Sequence, residues 1–254
     1  MPGKKMPENS KNSGYTLIEI MIVIIIIGII TSIALKSLDS TNDIARVEET
    51  RKELDRLAEA VAGRTDLVSG GDRIDYGYVG DIGAMPPDLD ALLQNPGGFT
   101  TWKGPYIRTD FSSDGGSEEI KKDAWGVNYL YSGGTDIIST GGGSAMTRQI
   151  AESVDALLYN RAILVTTDLD RTPPGSIYRD SIRLILQYPD GAGGYTYKNE
   201  TPDNNGLTVF DSIPIGLHEL RVVYLPENDT LIRQLNIAPG SELYTEITLF
   251  KDVW

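Results

Sequence analysis

The amino-acid sequence predicts an α+β chain: one long N-terminal helix, membrane-spanning in its first half and amphipathic in its second, a small β-rich head, and a C-terminal all-β sandwich. Three observations predict it. Residues 15–35 are one apolar run, residues 36–62 continue without proline at helical spacing, and beyond residue 151 short strand-like runs recur between turn signals. The expected division is 1–14, a polar leader; 15–35, the transmembrane half of the helix; 36–150, the head with the amphipathic half; and 151–254, the sandwich.

Residues 1–14 carry Lys4, Lys5 and Lys11 against Glu8. The run that follows, YTLIEIMIVIIIIGIITSIAL (Tyr15–Leu35), is long enough as a helix to cross a hydrocarbon core of about 30 Å. More positive charge precedes it than the single Lys36 that follows, which places the N-terminus in the cytoplasm. A secretory signal would have a shorter apolar stretch and a small-residue cleavage site after it. A plain single-span anchor explains the run but not Glu19, because an ionisable residue inside such a segment is costly and marks function unless it snorkels to the interface.

The residues Ser13-Gly14-Tyr15-Thr16-Leu17-Ile18-Glu19 resemble the signal of type IV prepilins and type II secretion pseudopilins, with Tyr15 where Phe is usual. The resemblance implies that a dedicated prepilin peptidase cuts between Gly14 and Tyr15 and that the new N-terminus at Tyr15 is methylated. It also implies that Glu19 of one subunit neutralises the Tyr15 amine of a neighbour during filament assembly. Such a pair in a low-dielectric bundle would fix axial register, since breaking it leaves a buried charge uncompensated. The implied partners are further copies of the chain or other pilin-like subunits, the prepilin peptidase, an inner-membrane assembly platform and membrane lipid. The implied location is the inner membrane as a single span before assembly, with the head domains periplasmic, or the cell surface if the filament is a pilus.

From Lys36 the pattern is amphipathic: Ile44, Val47, Leu54, Leu57, Ala58 and Val61 alternate with Arg46, Glu48, Glu49, Arg51, Lys52 and Glu53. Many members of the resembled family carry proline where Lys36 stands, so this helix should kink or melt less readily there. Gly28, in mid-span, suits close helix approach or is simply tolerated.

In the head, Met85–Leu93 reads as a proline-led helix, and Trp102–Ile107 and Lys122–Tyr131 read as turns feeding aromatic strands. In this order they resemble the major pseudopilin of type II secretion, with Ala124 replacing the proline of an Asp-Pro-Trp-Gly hairpin. That family binds calcium in the following loop. Here Gly143 stands where its aspartate would, Asp136 is insufficient alone, and the next carboxylate is Glu152, so the resemblance carries no metal site over. Gly141-Gly142-Gly143 then reads as a flexible turn.

Ser153–Asn160 reads as a short helix or linker. Strands are expected at Ala162–Thr167, Ile182–Tyr188, Leu207–Phe210, His218–Tyr224, Leu231–Ile237 and Leu243–Phe250. The stretch Asn205–Leu220 resembles the carboxypeptidase-regulatory, transthyretin-like sandwich, which implies a spacer or adhesion module.

With 36 acidic against 23 basic side chains and a net charge of -13, the chain has no electrostatic means of binding nucleic acid. It has no cysteine and a single histidine, His218, so thiolate sites and a conventional zinc site cannot be built, and His218, placed in an expected strand, reads as structural and not as a catalytic base. Asp168 and Asp170 read as solvated turn residues. No catalytic residues and no cofactor are expected, and the chain reads as a non-enzyme. Three readings stay open: a type II secretion-like pseudopilin supporting protein export, a type IV pilin with a surface-exposed or adhesive C-terminal domain, and a membrane-anchored binding module that never polymerises.

Overall fold

The computed structural model describes residues 14–108, 119–250, 252 and 254, with the side chains of 38–40 left aside; the leader expected at 1–14 lies outside them except for Gly14. The chain divides into two compact units, Met1–Arg46 and Val47–Trp254. Helix α1, Leu17–Ala62, runs through the division with no proline in it. With the sheets that follow, it makes the chain α+β, as the apolar run and the spaced turns predict.

In the first unit the apolar side chains of α1 are exposed from Leu17 to Leu35. In the second unit the expected amphipathic face is inside: Leu54, Leu57, Ala58 and Val61 are buried, while Val47 is half-buried. Tyr78, Ile82, Leu92 and Ile137 close on that face to form a first apolar core. The head supplies short hairpins, β1 (Val68–Ser69) with β2 (Asp72–Arg73), then helix α2 (Gly77–Ile82), then β3 (Asp136–Ser139) with β4 (Met146–Gln149).

Several head expectations are corrected. The proline-led helix shrinks to one 3-10 turn, Asp90–Leu92. Trp102–Ile107 forms no strand; its rings pack inward, Tyr106 meeting Tyr78 and Trp102 edge-on at 5.7 Å each. Lys122–Tyr131 contributes only two isolated bridges, Lys122 to Asn128 and Leu130 to Ile138. The N–H groups of Trp125 and Val127 go to the Asp123 carboxylate instead of a ladder.

Helix α3 (Val154–Leu158), capped by the Ser153 hydroxyl accepting from Ala156 N–H, leads into the sandwich. Its strands are β5 (Asn160–Thr167), β6 (Ile182–Pro189), β7 (Tyr195–Glu200), β8 (Leu207–Ile213), β9 (Gly216–Tyr224), β10 (Asp229–Ile237) and β11 (Glu242–Thr248). One sheet has the order β10-β9-β6-β7, all antiparallel. The other has the order β11-β5-β8, with β11 parallel to β5. Period-2 alternation turns Leu164, Leu184, Leu186, Phe210, Leu220, Val222, Leu235 and Ile247 into a second apolar core between the sheets. β7 is an edge strand that the strand expectations omit.

The signature turn between β8 and β9 joins the two cores. Ile215 is fully buried with the head residues, and its N–H bonds the Leu157 carbonyl at 2.9 Å. Asn236 of β10 accepts from the Tyr76 hydroxyl and donates to the Arg73 carbonyl. Head and sandwich strands thus share side chains as well as a polypeptide link.

Candidate functional site

The N-terminal residues form the first candidate. Gly14, Tyr15 and Thr16 precede α1 outside any regular element, with Tyr15 exposed and nothing within 4 Å of a Cβ placed on Gly14. Glu19 lies in the first helical turn, and the structure shows what the sequence reading missed: a capping box with Thr16. Glu19 Oε2 accepts from Thr16 N–H at 2.8 Å and from the Thr16 hydroxyl at 2.9 Å. In return Glu19 N–H donates to Thr16 Oγ1 at 3.3 Å. The Thr-x-x-Glu spacing before an apolar run was the signal for it. Farther along, the Thr31 hydroxyl satisfies itself on the Ile27 carbonyl at 2.7 Å, so it adds no unpaired polar atom to the span. Gly28 has open space around it, room for another helix to approach.

The second candidate is the loop region for which the sequence predicts that no calcium site is kept. Asp123 is buried and gathers four donors: the Ser139 hydroxyl at 2.6 Å and the N–H groups of Gly141 at 2.9 Å, Trp125 at 3.0 Å and Val127 at 3.0 Å. Burial pushes its carboxyl up, but the bonds from Ser139, Val127, Gly141 and Trp125 outweigh that and hold it below the usual range. Both oxygens are therefore taken by the protein, Asp136 stands exposed at the start of β3, and the residues present do not make the oxygen-rich donor set that calcium takes. Among the described residues no group of three or more His, Asp or Glu side chains is placed to hold a metal.

Two of the three glycines read as a flexible turn are packed, while Gly143 has φ +77 and open space around it. A Cβ on Gly141 would lie 2.6 Å from Asp123 Oδ2, and one on Gly142 would lie 2.9 Å from the Trp125 ring. The loop also holds α1: Ala124 N–H donates to Thr50 Oγ1 at 3.1 Å and the Tyr129 hydroxyl to Glu53 at 2.6 Å. Asp168 is likewise corrected, being buried and accepting from both the N–H and the hydroxyl of Thr172.

His218, the lone histidine, is 2% exposed on the inner face of β9. Its Nε2 lies 2.7 Å from the Pro214 carbonyl, which can only accept, so the neutral ring carries its proton on Nε2. Burial pushes its pKa down to about 4; the Pro214 bond opposes this and the Lys103 ammonium adds to it. A ring this enclosed, with no nucleophile bonded to it, is part of the packing.

Residues 9–35 match the prokaryotic N-terminal methylation motif. The type II secretion system core protein G of Pseudomonas aeruginosa is 28% identical over 127 residues, covering 49% of this chain and 75% of that protein. The protein of the same description from Xanthomonas campestris pv. campestris is 25% identical over 104 residues, 41% of this chain and 63% of that protein, so that match spans less than two thirds of its length. Among solved structures, the dioxygenase domain of a dioxygenase–carbohydrate-binding protein fusion from Streptomyces sp. SirexAA-E aligns at a TM-score of 0.31 and 12% identity over 37% of this chain and 80% of that one. A superposition that loose carries no argument. The methylation motif, the long apolar helix and the core protein G similarity together make the chain a non-enzymatic, pilin-like structural protein, distantly homologous to type II secretion core protein G.

Proposed function

We propose that the chain is a pseudopilin of a type II secretion-like apparatus, inserted in the inner membrane through α1, cut between Gly14 and Tyr15, methylated on Tyr15 and polymerised with help from Glu19. The observation that carries the reading is the methylation motif over residues 9–35, set on a helix whose apolar side chains are all exposed from Leu17 to Leu35. That surface is satisfied first by lipid and then by the helices of neighbouring subunits. The core protein G similarity runs over 127 residues, far more than the motif alone, and favours the secretion system over other pilin-like machines. The division into leader, spanning half, head and sandwich at 14/15, 35/36 and 150/151 belongs to the same proposal. Assembly then needs a prepilin peptidase and an inner-membrane platform.

The alternative, a surface pilus carrying the sandwich as an adhesive module, is favoured by the share of the chain that the core protein G match leaves uncovered, since that match spans only 49% of it. Mass spectrometry of the processed chain separates them. An N-terminus at N-methyl-Tyr15 confined to the envelope supports the secretion pseudopilin; the same form in sheared surface fibres supports the pilus. A chain that retains residues 1–14 in both fractions refutes both.

A further inference from the structure

Two outward faces of the sandwich have no role in that reading. On the outer side of the three-stranded sheet, strand register puts Tyr244, Ile163 and Val209 in one row and Val165 beside Leu207 in the next. Tyr244 is 68% exposed, Leu207 is exposed, and the other three are half-buried. Five apolar side chains thus lie together on the outer face, which a sandwich usually gives to polar residues. The rim is acidic. Arg161 pairs with Asp211 at 2.8 Å and with Glu242 at 3.3 Å, and Glu246 lies opposite Val165, leaving an excess of negative charge.

The outer side of the four-stranded sheet is also apolar in part but opposite in sign. Ile232, Arg221 and Ile185 share one row, and Val223 and Arg183 lie in the next. Ile232 is 53% exposed. Arg221 pairs with Glu219 at 2.6 Å, and among the described residues Arg183 has no ion-pair partner, so this face keeps an excess of positive charge.

We propose that the outer face of the three-stranded sheet in one copy packs on the outer face of the four-stranded sheet in the next copy. A chain with a net charge of -13 repels itself in most orientations, and pairing the acid-rimmed face with its own twin would set like charges together. The one pairing that matches apolar rows and opposes charges uses two different faces. Contacts of that heterologous kind extend into open arrays instead of closing into dimers. The inference rests on the polymerising reading above and names a contact that the helices do not provide. Three strands of seven or eight residues present roughly 14 Å by 23–26 Å, about 320–370 Å². That is less than half of the roughly 800 Å² per partner found in stable complexes. The sheets therefore dock only when the helices already hold copies side by side.

The test uses the full chain, whose lack of cysteine makes introduced thiols unambiguous. Tyr244→Cys and Ile232→Cys placed together in one chain, treated in membranes with a short flexible bismaleimide, should give a ladder of dimers, trimers and higher species. Either substitution alone should leave monomers, and adding Arg183→Glu should cut the ladder by about tenfold. A dimer from Tyr244→Cys alone would mean twin pairing and overturn the proposal. So would a ladder undiminished by Glu19→Ala, which would mean docking without helix assembly. Processed filaments that give no ladder, or whose Tyr244→Cys thiol reacts as fast as in the detergent-dispersed chain, would overturn the docking while leaving the filament reading intact. Absence of filaments altogether would end both.

Discussion

Acid should loosen this protein through His218 before it reaches the carboxylates. The folded state binds a proton on His218 only near pH 4, against an ordinary value of 6.5. Protons therefore prefer the unfolded chain in that window, and stability falls as pH falls from about 6.5 to about 4. At about 1.4 kcal/mol per unit, the shift is worth roughly 3 kcal/mol. Asp123 and Asp190, whose carboxyls are held below their usual range, act lower, below their unfolded values. Glu53, raised by burial, acts in the opposite sense. Comparing the full chain with His218→Gln, which keeps a donor for the Pro214 carbonyl, cancels these common contributions. The assay is urea unfolding in detergent, followed by tryptophan fluorescence from pH 7.5 to 4.5. The native chain should lose most of the 3 kcal/mol relative to the variant across that range. Parallel stability curves would refute the claim that His218 is buried neutral.

Three further outcomes follow from the same contacts. Ile215→Ala removes a fully buried side chain from the head core and should destabilise by about 2–5 kcal/mol; a loss well under 1 kcal/mol in the same melts would mean that head and sandwich do not share that core. Asp123→Ala strands four donors and should raise amide exchange at Trp125, Val127 and Gly141 together, with a loss of about 3 kcal/mol or more; unchanged exchange at Gly141 would contradict the bond drawn to it. Gly206 has φ +81, and an added Cβ would sit 2.1 Å from the Thr166 carbonyl oxygen. Gly206→Ala should therefore cost at least about 2 kcal/mol and expose the β8 entry to limited proteolysis; native-like resistance would argue against that turn.

What the sequence shows and what it hides divides along sequence distance. Helix α1 and the strands at 160–167, 182–189 and 216–224 are readable because burial imposes local period, 3.6 or 2, on residues close in the chain. β7 escapes because Tyr195, Tyr197 and Asn199 face outward on an edge and only one neighbour constrains it. The aromatic stretches at 102–107 and 122–131 look like strands by propensity, yet tertiary partners claim them, Tyr78 in one case and the Asp123 carboxylate in the other. The parallel pairing of β11 with β5 joins residues some eighty positions apart, and no local pattern encodes it. At the candidate site the sequence reading took Gly14, Tyr15 and Glu19 and passed over Thr16, although its spacing to Glu19 carried the capping signal that the first turn then displays.

That first turn bears on the proposed role of Glu19. The capping box gives Thr16 and Glu19 a purely local reason to be four residues apart in an inclusive count, without any neighbour. A glutamine would cap as well, however, and would not place a full charge at the head of an apolar run. The helix dipole returns only about 0.3–1 kcal/mol for that charge, whereas carrying a charge into the membrane can cost up to about 3 kcal/mol, less toward the interface. The cap thus explains the spacing but not the carboxylate. Both capping bonds use Oε2, and Oε1 accepts no hydrogen bond among the described residues. The same side chain can therefore hold its own helix start and still offer an oxygen to a cation. The amine proposed to form at Tyr15 of a neighbour would be such a cation, so capping and assembly need not compete for Glu19.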